Sequence, residues 1–486
     1  MNKSIKINAI LNAIRQCISI LYGIFTIPYV SRILGNDGYG KINFSISLVN
    51  YFILFAGLGI STYAVREGAR IRNNRKSLSK FVNEIFSINV ISSIVSYLML
   101  FFLCISVNML QKYEDIIFVL SIQILFITLG TEWINIIFED YLYTTIRVII
   151  VYIISFAILI LFVKKPEDYL MYAVVVASNK IIANVINLVY IRRKYIRPRI
   201  VINTQLKKHI IPLMVLFFNA LTISIYVDSD KTMLSLFKSD SVTGVYSVAV
   251  NIYVVVKTLV NAMTGVALPR LSKYLGENNQ CAYNIMISKM FHALLMVVIP
   301  CSIGLFFLSD KIILVLSGES YLSGTLAMKI LSIALVFGTI SYCIVYAVMI
   351  PHKMENKCFI ASVTSAVCNV LFNLVLIPMY SLNGAAITTL ISEVVVVGMS
   401  YSFCRSYINI RKVFDGIHTI IIPNISVIFI CIVVRYMVSE NYLCIILSCV
   451  LCVGVYFVLL FVLKDSVFYS FAMKVFKQIK FSECKK

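Results

Sequence analysis

The chain has 486 residues, 60% of them apolar or aromatic and 13% charged, against about 25% charged in an ordinary soluble domain. Mean hydropathy is +0.92. No water-soluble fold hides that much apolar surface, so soluble enzymes and soluble nucleic-acid-binding proteins are excluded. With 19 Gly and 9 Pro the chain is neither collagen-like nor disordered. Its long apolar runs also exclude an outer-membrane barrel, whose strands alternate. A spanning helix takes about 20 residues, so the chain holds about 14 spans and is an all-α integral membrane protein.

The net charge of +21, from 43 basic and 22 acidic residues, reads as basic cytoplasmic loops rather than nucleic-acid binding. The 13 cysteines lie mostly inside apolar runs, as at Cys343, Cys368 and Cys431, and read as reduced, buried thiols. Cys449 and Cys452 form a CxxC in mid-span with no charge nearby, which argues against a redox or metal role. Asn8, Asn12, Arg15 and Gln16 interrupt the first apolar run, so the N-terminus does not read as a cleavable signal.

In chain order, spans are expected at about 10–33, 42–64, 83–107, 116–138, 147–163, 169–190, 210–235, 244–268, 288–308, 327–350, 358–378, 384–404, 418–438 and 442–463. Pro28 would kink the first. The loop after span 2 carries Arg66, Arg70, Arg72, Arg75, Lys76 and Lys80. The loop after span 6 carries Arg192, Arg193, Lys194, Arg197, Arg199, Lys207 and Lys208. With the N-terminus inside, about 31 basic residues fall inside and about nine outside, so both termini are expected in the cytoplasm. Residues 1–190 form an expected N-lobe of helices 1–6, and 191–209 a basic cytoplasmic linker. Residues 210–404 form a C-lobe of helices 7–12, and 405–486 helices 13–14 with a cytoplasmic tail. Gly40 opens span 2 and Gly244 opens span 8, each ahead of a polar-spotted run, a weak internal repeat. Two six-helix lobes around a central cavity, plus two C-terminal helices, is the transporter-like reading.

Several polar residues lie inside these spans. Asn8, Asn12, Arg15, Ser19, Tyr22 and Thr26 recur at spacings of 4, 3, 4, 3 and 4, a polar stripe that must line a wet cavity or a helix interface. Lys180 is near the middle of span 6 with Asn184 and Asn187. Lys257 is near the middle of span 8 with Tyr253 and Asn261, and Glu393 is near the middle of span 12. Each such charge costs about 2.5–3.5 kcal/mol at the bilayer centre, so each needs water, a ligand or a partner, and Lys257 with Glu393 is one structural pairing. Span 7 ends in Asp228, Ser229, Asp230 and Lys231, either interfacial groups or gating and coupling groups. Trp133 beside Glu132 reads as an interface anchor. Bases outnumber acids at mid-depth, which favours an anionic cargo such as a phosphate-bearing lipid head group. The four histidines lie apart, and neither a metal spacing, a catalytic triad nor a P-loop occurs, so neither enzymology nor ATP use is expected.

Short segments carry a resemblance. They include Pro28–Gly35, Tyr39–Phe44, Gly59–Arg70, Glu132–Trp133 and Lys164–Tyr169. Asp230–Leu234 with Gly244–Ser247, Leu268–Ser272 and Pro378–Ala386 continue the series. In this order the chain resembles the bacterial polysaccharide flippases of the Wzx type, in the multidrug/oligosaccharidyl-lipid/polysaccharide exporter superfamily. Ser235 stands where such proteins often have Gly. The resemblance implies flipping of undecaprenyl-pyrophosphate-linked oligosaccharide repeat units to the outer leaflet of the bacterial cytoplasmic membrane, for capsule, exopolysaccharide or O-antigen assembly. It implies alternating access without ATP or another cofactor, coupled to a proton or sodium gradient or to membrane potential. A polysaccharide polymerase and glycosyltransferases would be its partners.

Joined to the residues, this assigns Arg15, Lys180 and Lys257, with Asn12, Tyr22 and Asn261, to a cationic cavity for the pyrophosphate. Arg32, Asp228, Asp230, Lys231 and Glu393 are assigned to gating and coupling. A lipid II flippase is the close alternative, because its cargo also carries a pyrophosphate. A membrane-embedded polymerase or ligase would need larger outer loops than the short ones here.

Overall fold

A computed structural model describes residues 5–201, 206–277, 279–408, 416–470 and 473, and structural statements below refer to these. Twelve helical runs among them are long and apolar enough to cross a membrane. Two of the underlying helices are double-length: α1 (Ile5–Gly57, 53 residues) and a later one, Glu355–Cys404, of 50 residues. At 1.5 Å per residue these reach about 75–80 Å, more than twice a hydrocarbon core of about 30 Å. Each is broken by a left-handed residue, Gly35 (φ 65°) and Ser381 (φ 54°). Counted on both sides of the breaks, the runs supply the fourteen spans expected. The chain is a multi-pass, all-helical membrane protein.

Packing divides it into two compact units, Met1–Gly244 and Val245–Lys486. In the first, α1 is followed by α2 (Ile60–Ile71), α3 (Arg75–Ser106), α4 (Glu114–Gly130), α5 (Trp133–Ile137), α6 (Tyr141–Phe162), α7 (Tyr169–Lys194) and α8 (Lys207–Phe237). The expected linker at 191–209 is therefore not where the packing divides, because α8 packs along α1. Phe217 meets Phe55 at 5.0 Å between ring centroids. At the start of α8, His209 meets the Tyr63 hydroxyl at 2.8 Å and buried Glu84 at 3.0 Å.

Small polar side chains join the apolar helices. Ser96 donates to the Phe52 carbonyl at 2.6 Å, Asn89 and Ser92 donate to that of Ala56 at 2.8 and 2.6 Å, and Ser93 pairs with Thr128 at 2.6 Å. Such contacts hold helices together where lipid offers no hydrophobic drive. Ile42, Phe44, Val49, Tyr113, Leu120 and Ile124 fill the space between α1 and α4. The repeat-related glycines meet each other: a Cβ on Gly40 would strike the Asp240 carbonyl, and one on Gly244 that of Asn36. Asp240 is fixed there by Tyr113, by Ser235 Oγ at 2.6 Å and by Lys112 Nζ at 3.1 Å.

The second unit takes in most of α9 (Asp240–Gly276), then α10 (Gln280–Phe307), α11 (Ser309–Ser317), α12 (Thr325–Ile344), α13 (Glu355–Cys404), α14 (His418–Met437) and α15 (Asn441–Val462). The halves of α13 fold back on each other across Ser381: Thr388 donates to Asn373 at 2.6 Å and Ser365 to the Ser392 carbonyl at 3.1 Å. The last two spans are clasped to α10. Tyr456 donates to the Met296 carbonyl at 2.7 Å, and buried Asp465 meets His292 Nε2 and accepts from Thr419 Oγ1, both at 2.6 Å. Burial opposes ionisation of Asp465, but bonds from His292, the Phe468 amide and Thr419 outweigh it and hold the carboxyl well below the usual carboxylate range. Asp465→Asn should lower stability by about 1–3 kcal/mol near neutral pH, read as a fall in Tm of the detergent-purified protein. Because the native carboxyl titrates below its unfolded value, this contribution should persist above about pH 4 and fade only in stronger acid.

Candidate functional site

The first unit encloses a cavity of about 550 Å³ at the level of its apolar spans. Polar side chains interrupt its largely apolar wall. Asn50 comes from α1, Asn89 from α3, Lys180 and Asn184 from α7, and Asp228 from α8. Glu132 completes it from a break in the chain. Helix α4 ends at Gly130, Thr131 turns into the left-handed region (φ 44°), and Glu132 follows before α5 starts. Asn187 braces that break by donating to the Gly130 carbonyl at 2.6 Å.

Three charges thus share one cavity: Lys180, Glu132 and Asp228. Lys180 is exposed to it, and its backbone carbonyl accepts from Asn184 at 2.8 Å. Glu132 is the hub of a further cluster. Its Oε1 is met by Arg15 Nη1 at 3.3 Å and by Arg147 Nη2 at 2.9 Å. Asn12 accepts from the other terminal nitrogen of Arg15 at 3.1 Å. Further along α1, Ser19 and Tyr22 lie at a helix interface: Tyr22 bonds Ser155 on α6 at 2.9 Å and accepts from Asn179 on α7 at 3.1 Å, and its ring stacks on Tyr152.

Asp228 accepts from Ser224 Oγ at 3.4 Å, and Lys231 interacts electrostatically with Asp228 and with buried Asp230. Arg32 lies on the exposed side of α1, three residues before its break. Lys257, Asn261 and Glu393 belong to the second unit. There Lys257 is ion-paired with Glu393, whose side chain is only 3% exposed, and Tyr253 donates to the same carboxylate oxygen at 2.8 Å. In this conformation, therefore, the Lys257 charge is already offset. Asn261 Oδ1 is buried with no hydrogen-bond partner among the described residues.

Two side chains have roles that sequence reasoning missed. Trp133, read as an interface anchor, is buried in the core and lines the cavity. Arg147 falls at the expected start of span 5 and is not among the polar residues singled out from sequence. Helix α6 in fact begins at Tyr141, and Thr144, Arg147, Val151 and Ser155 are all buried on it. Their 3–4 spacing was the available signal. The second unit carries a different feature, an apolar groove of about 370 Å³ walled by Val256, Met296, Pro300, Val427 and Tyr456 among others. No cluster of three or more His, Cys, Asp or Glu suited to a metal occurs among the described residues.

The family described as polysaccharide biosynthesis protein matches residues 5–275, more than half of the chain. The chain belongs to that family. It is 22% identical over 182 residues to the "Probable low-salt glycan biosynthesis flippase Agl15" of Haloferax volcanii, and 26% identical over 162 residues to "Capsular polysaccharide biosynthesis protein CapF" of Staphylococcus aureus. These alignments cover 37% and 33% of this chain, and only 38% and 41% of those relatives. Its fold matches that of the inward closed lipid II flippase MurJ with a TM-score of 0.75 at 16% identity, over 94% of this chain and 99% of that one. An inward-facing multidrug resistance MATE transporter matches with a TM-score of 0.61 at 14% identity, over 81% and 94%. This polysaccharide biosynthesis protein thus has the helical transporter fold that MurJ and MATE proteins share.

The Lys257–Glu393 pair yields a direct test. Lys257→Met strands a buried carboxylate and should cost about 3–5 kcal/mol, whereas the double change Lys257→Met/Glu393→Leu should recover most of that loss. Thermal unfolding of the three proteins in one detergent measures it.

Proposed function

We propose that this protein is a flippase for lipid-linked glycans, carrying undecaprenyl-pyrophosphate-linked oligosaccharide repeat units from the inner to the outer leaflet of a bacterial cytoplasmic membrane. The observation that carries the reading is the cavity in which Lys180, Glu132, Asp228 and several asparagines gather among apolar spans. A wet, charged chamber at that depth serves a polar cargo, because lipid chains gain nothing from it. The apolar groove in the second unit is suited to a polyprenyl tail. Family membership and the printed names of Agl15 and CapF support the glycan part of the reading.

In this account Lys180 receives the pyrophosphate, joined by Arg15 after its release from Glu132. Movement follows alternating access, without ATP or chemical conversion of the cargo. In the same proposal Asp228, with Lys231 beside it, couples the cycle to a proton or sodium gradient. Both termini are cytoplasmic, as the basic loops require. The sugar carried would decide whether the product is a capsule, an exopolysaccharide or an O-antigen.

Lys180→Ala should strongly reduce surface glycan in a flippase-deletion strain at unchanged protein level, and Lys180→Arg should restore part of it, since charge without the ammonium's compact shape is a partial substitute. Undiminished glycan in Lys180→Ala contradicts the assignment. Rescue of a lipid II flippase mutant by the wild-type gene, with no rescue of the glycan strain, would favour the peptidoglycan precursor as cargo.

A further inference from the structure

The cluster around Glu132 has an unusual imbalance. Two guanidiniums, from Arg15 and Arg147, meet a single carboxylate oxygen at 3.3 and 2.9 Å. The Arg147 side chain is 3% exposed, yet its Nε and Nη1 are buried with no hydrogen-bond partner among the described residues. The indole Nε1 of neighbouring Trp133 is buried and unpartnered in the same way. A buried arginine normally fills its donor fork with two acceptor oxygens, and unmet buried donors are costly. Arg15 turns its other terminal nitrogen to Asn12, but the shared carboxylate oxygen leaves the Arg147 fork underused, and two cations against one anion leave a net positive charge.

The two sides of the cluster also differ in freedom. Arg147 is enclosed within the helix packing, over the Tyr143 ring at 5.7 Å and hydrogen-bonded to that side chain, whereas the Glu132 side chain is 40% exposed and lines the cavity that Lys180 also lines. The carboxylate is therefore the solvated, replaceable member and the guanidinium the fixed one. A phosphoryl group offers more acceptor oxygens and more charge than a carboxylate, and matches the arginine fork bidentately.

We propose that Glu132 is a resident counter-anion which an incoming pyrophosphate displaces, so that Arg147 and Arg15 form a phosphate-binding site whose occupant alternates between the cargo and the protein's own carboxylate. The source of the pyrophosphate, a polyprenyl lipid, rests on the flippase reading above. When cargo enters, Glu132 moves into the cavity and the two guanidiniums take phosphate oxygens. When cargo must leave, Glu132 competes for the same donors and lowers the cost of exposing them. The device gives binding without trapping, because the departing anion is replaced rather than simply lost.

The two anions compete, so removing one must strengthen the other. Purified protein in detergent should be titrated with inorganic pyrophosphate and, separately, with farnesyl pyrophosphate. Glu132→Gln is expected to bind both about tenfold tighter than the wild type, and Glu132→Asp to fall between. Arg147→Met combined with Glu132→Gln should lose the gain. If Glu132→Gln folds poorly, the Glu132→Asp protein carries the comparison alone. Equal or weaker binding by the Glu132 variants overturns the exchange. A gain for inorganic pyrophosphate without one for farnesyl pyrophosphate assigns the site to a free phosphate and overturns the lipid source. In cells, Glu132→Gln should lower surface glycan through slowed release despite its higher affinity. A glycan defect without tighter binding defeats the exchange and spares the flippase reading, whereas tighter binding with untouched glycan does the reverse.

Discussion

A charge held at the depth of lipid chains must have an opposite charge, water or a ligand within reach, and the placement of Arg15, Arg147, Lys180 and Lys257 answers to that constraint. Three solutions occur. Arg15 and Arg147 close on Glu132, Lys257 closes on Glu393, and Lys180 opens onto a cavity it shares with Asn184 and Asp228. The second is self-neutralised, the first is offset only in part, and the third faces the cavity. A protein whose task is to admit an anion and then release it needs both kinds. In the proposed function, the cavity lysine would attract the cargo, and internal carboxylates would keep the remaining cations from holding it permanently.

The helical framework makes these positions possible. Serines, threonines and asparagines between α1, α3 and α4 knit the first unit while leaving its outer faces apolar. Breaks in the helices then expose polar groups at chosen depths. Thr131 ends α4 so that Glu132 projects into the cavity, and Ser381 turns α13 back on itself within the second unit. The close approach at Gly40 and Gly244 brings Asp240 against Lys112 and Tyr113, so a segment that sequence offers only as a weak repeat is a packing junction.

Much of this was legible from sequence because the bilayer simplifies the reading. Apolar runs of fixed length mark the spans, and a lysine or acid within one is conspicuous, so Lys180, Lys257, Glu393 and Asp228 could be singled out directly. The Lys257–Glu393 contact was foreseeable as one pairing because only a few opposite charges exist at that depth. What sequence hid lies at span ends, where hydropathy loses its edge. Arg147 sits six residues into α6, yet hydropathy alone placed it at a boundary. Trp133 passed for an interface anchor because its burial depends on tertiary packing around α5. The break at Gly35 and the short helix α2 were likewise invisible, since a left-handed turn inside an apolar run leaves no hydropathy mark.

The central claim is that Lys180 in this cavity, with the Arg15–Arg147–Glu132 cluster beside it, lets a pyrophosphate-bearing lipid cross the bilayer. The most direct measurement is transbilayer movement of a fluorescent polyprenyl-pyrophosphate-linked sugar in liposomes containing the purified protein, followed by a membrane-impermeant quencher. The account predicts that the protected inner-leaflet pool becomes quenchable in the presence of the protein and stays protected in protein-free vesicles. A pool that remains equally protected with and without the protein would contradict it.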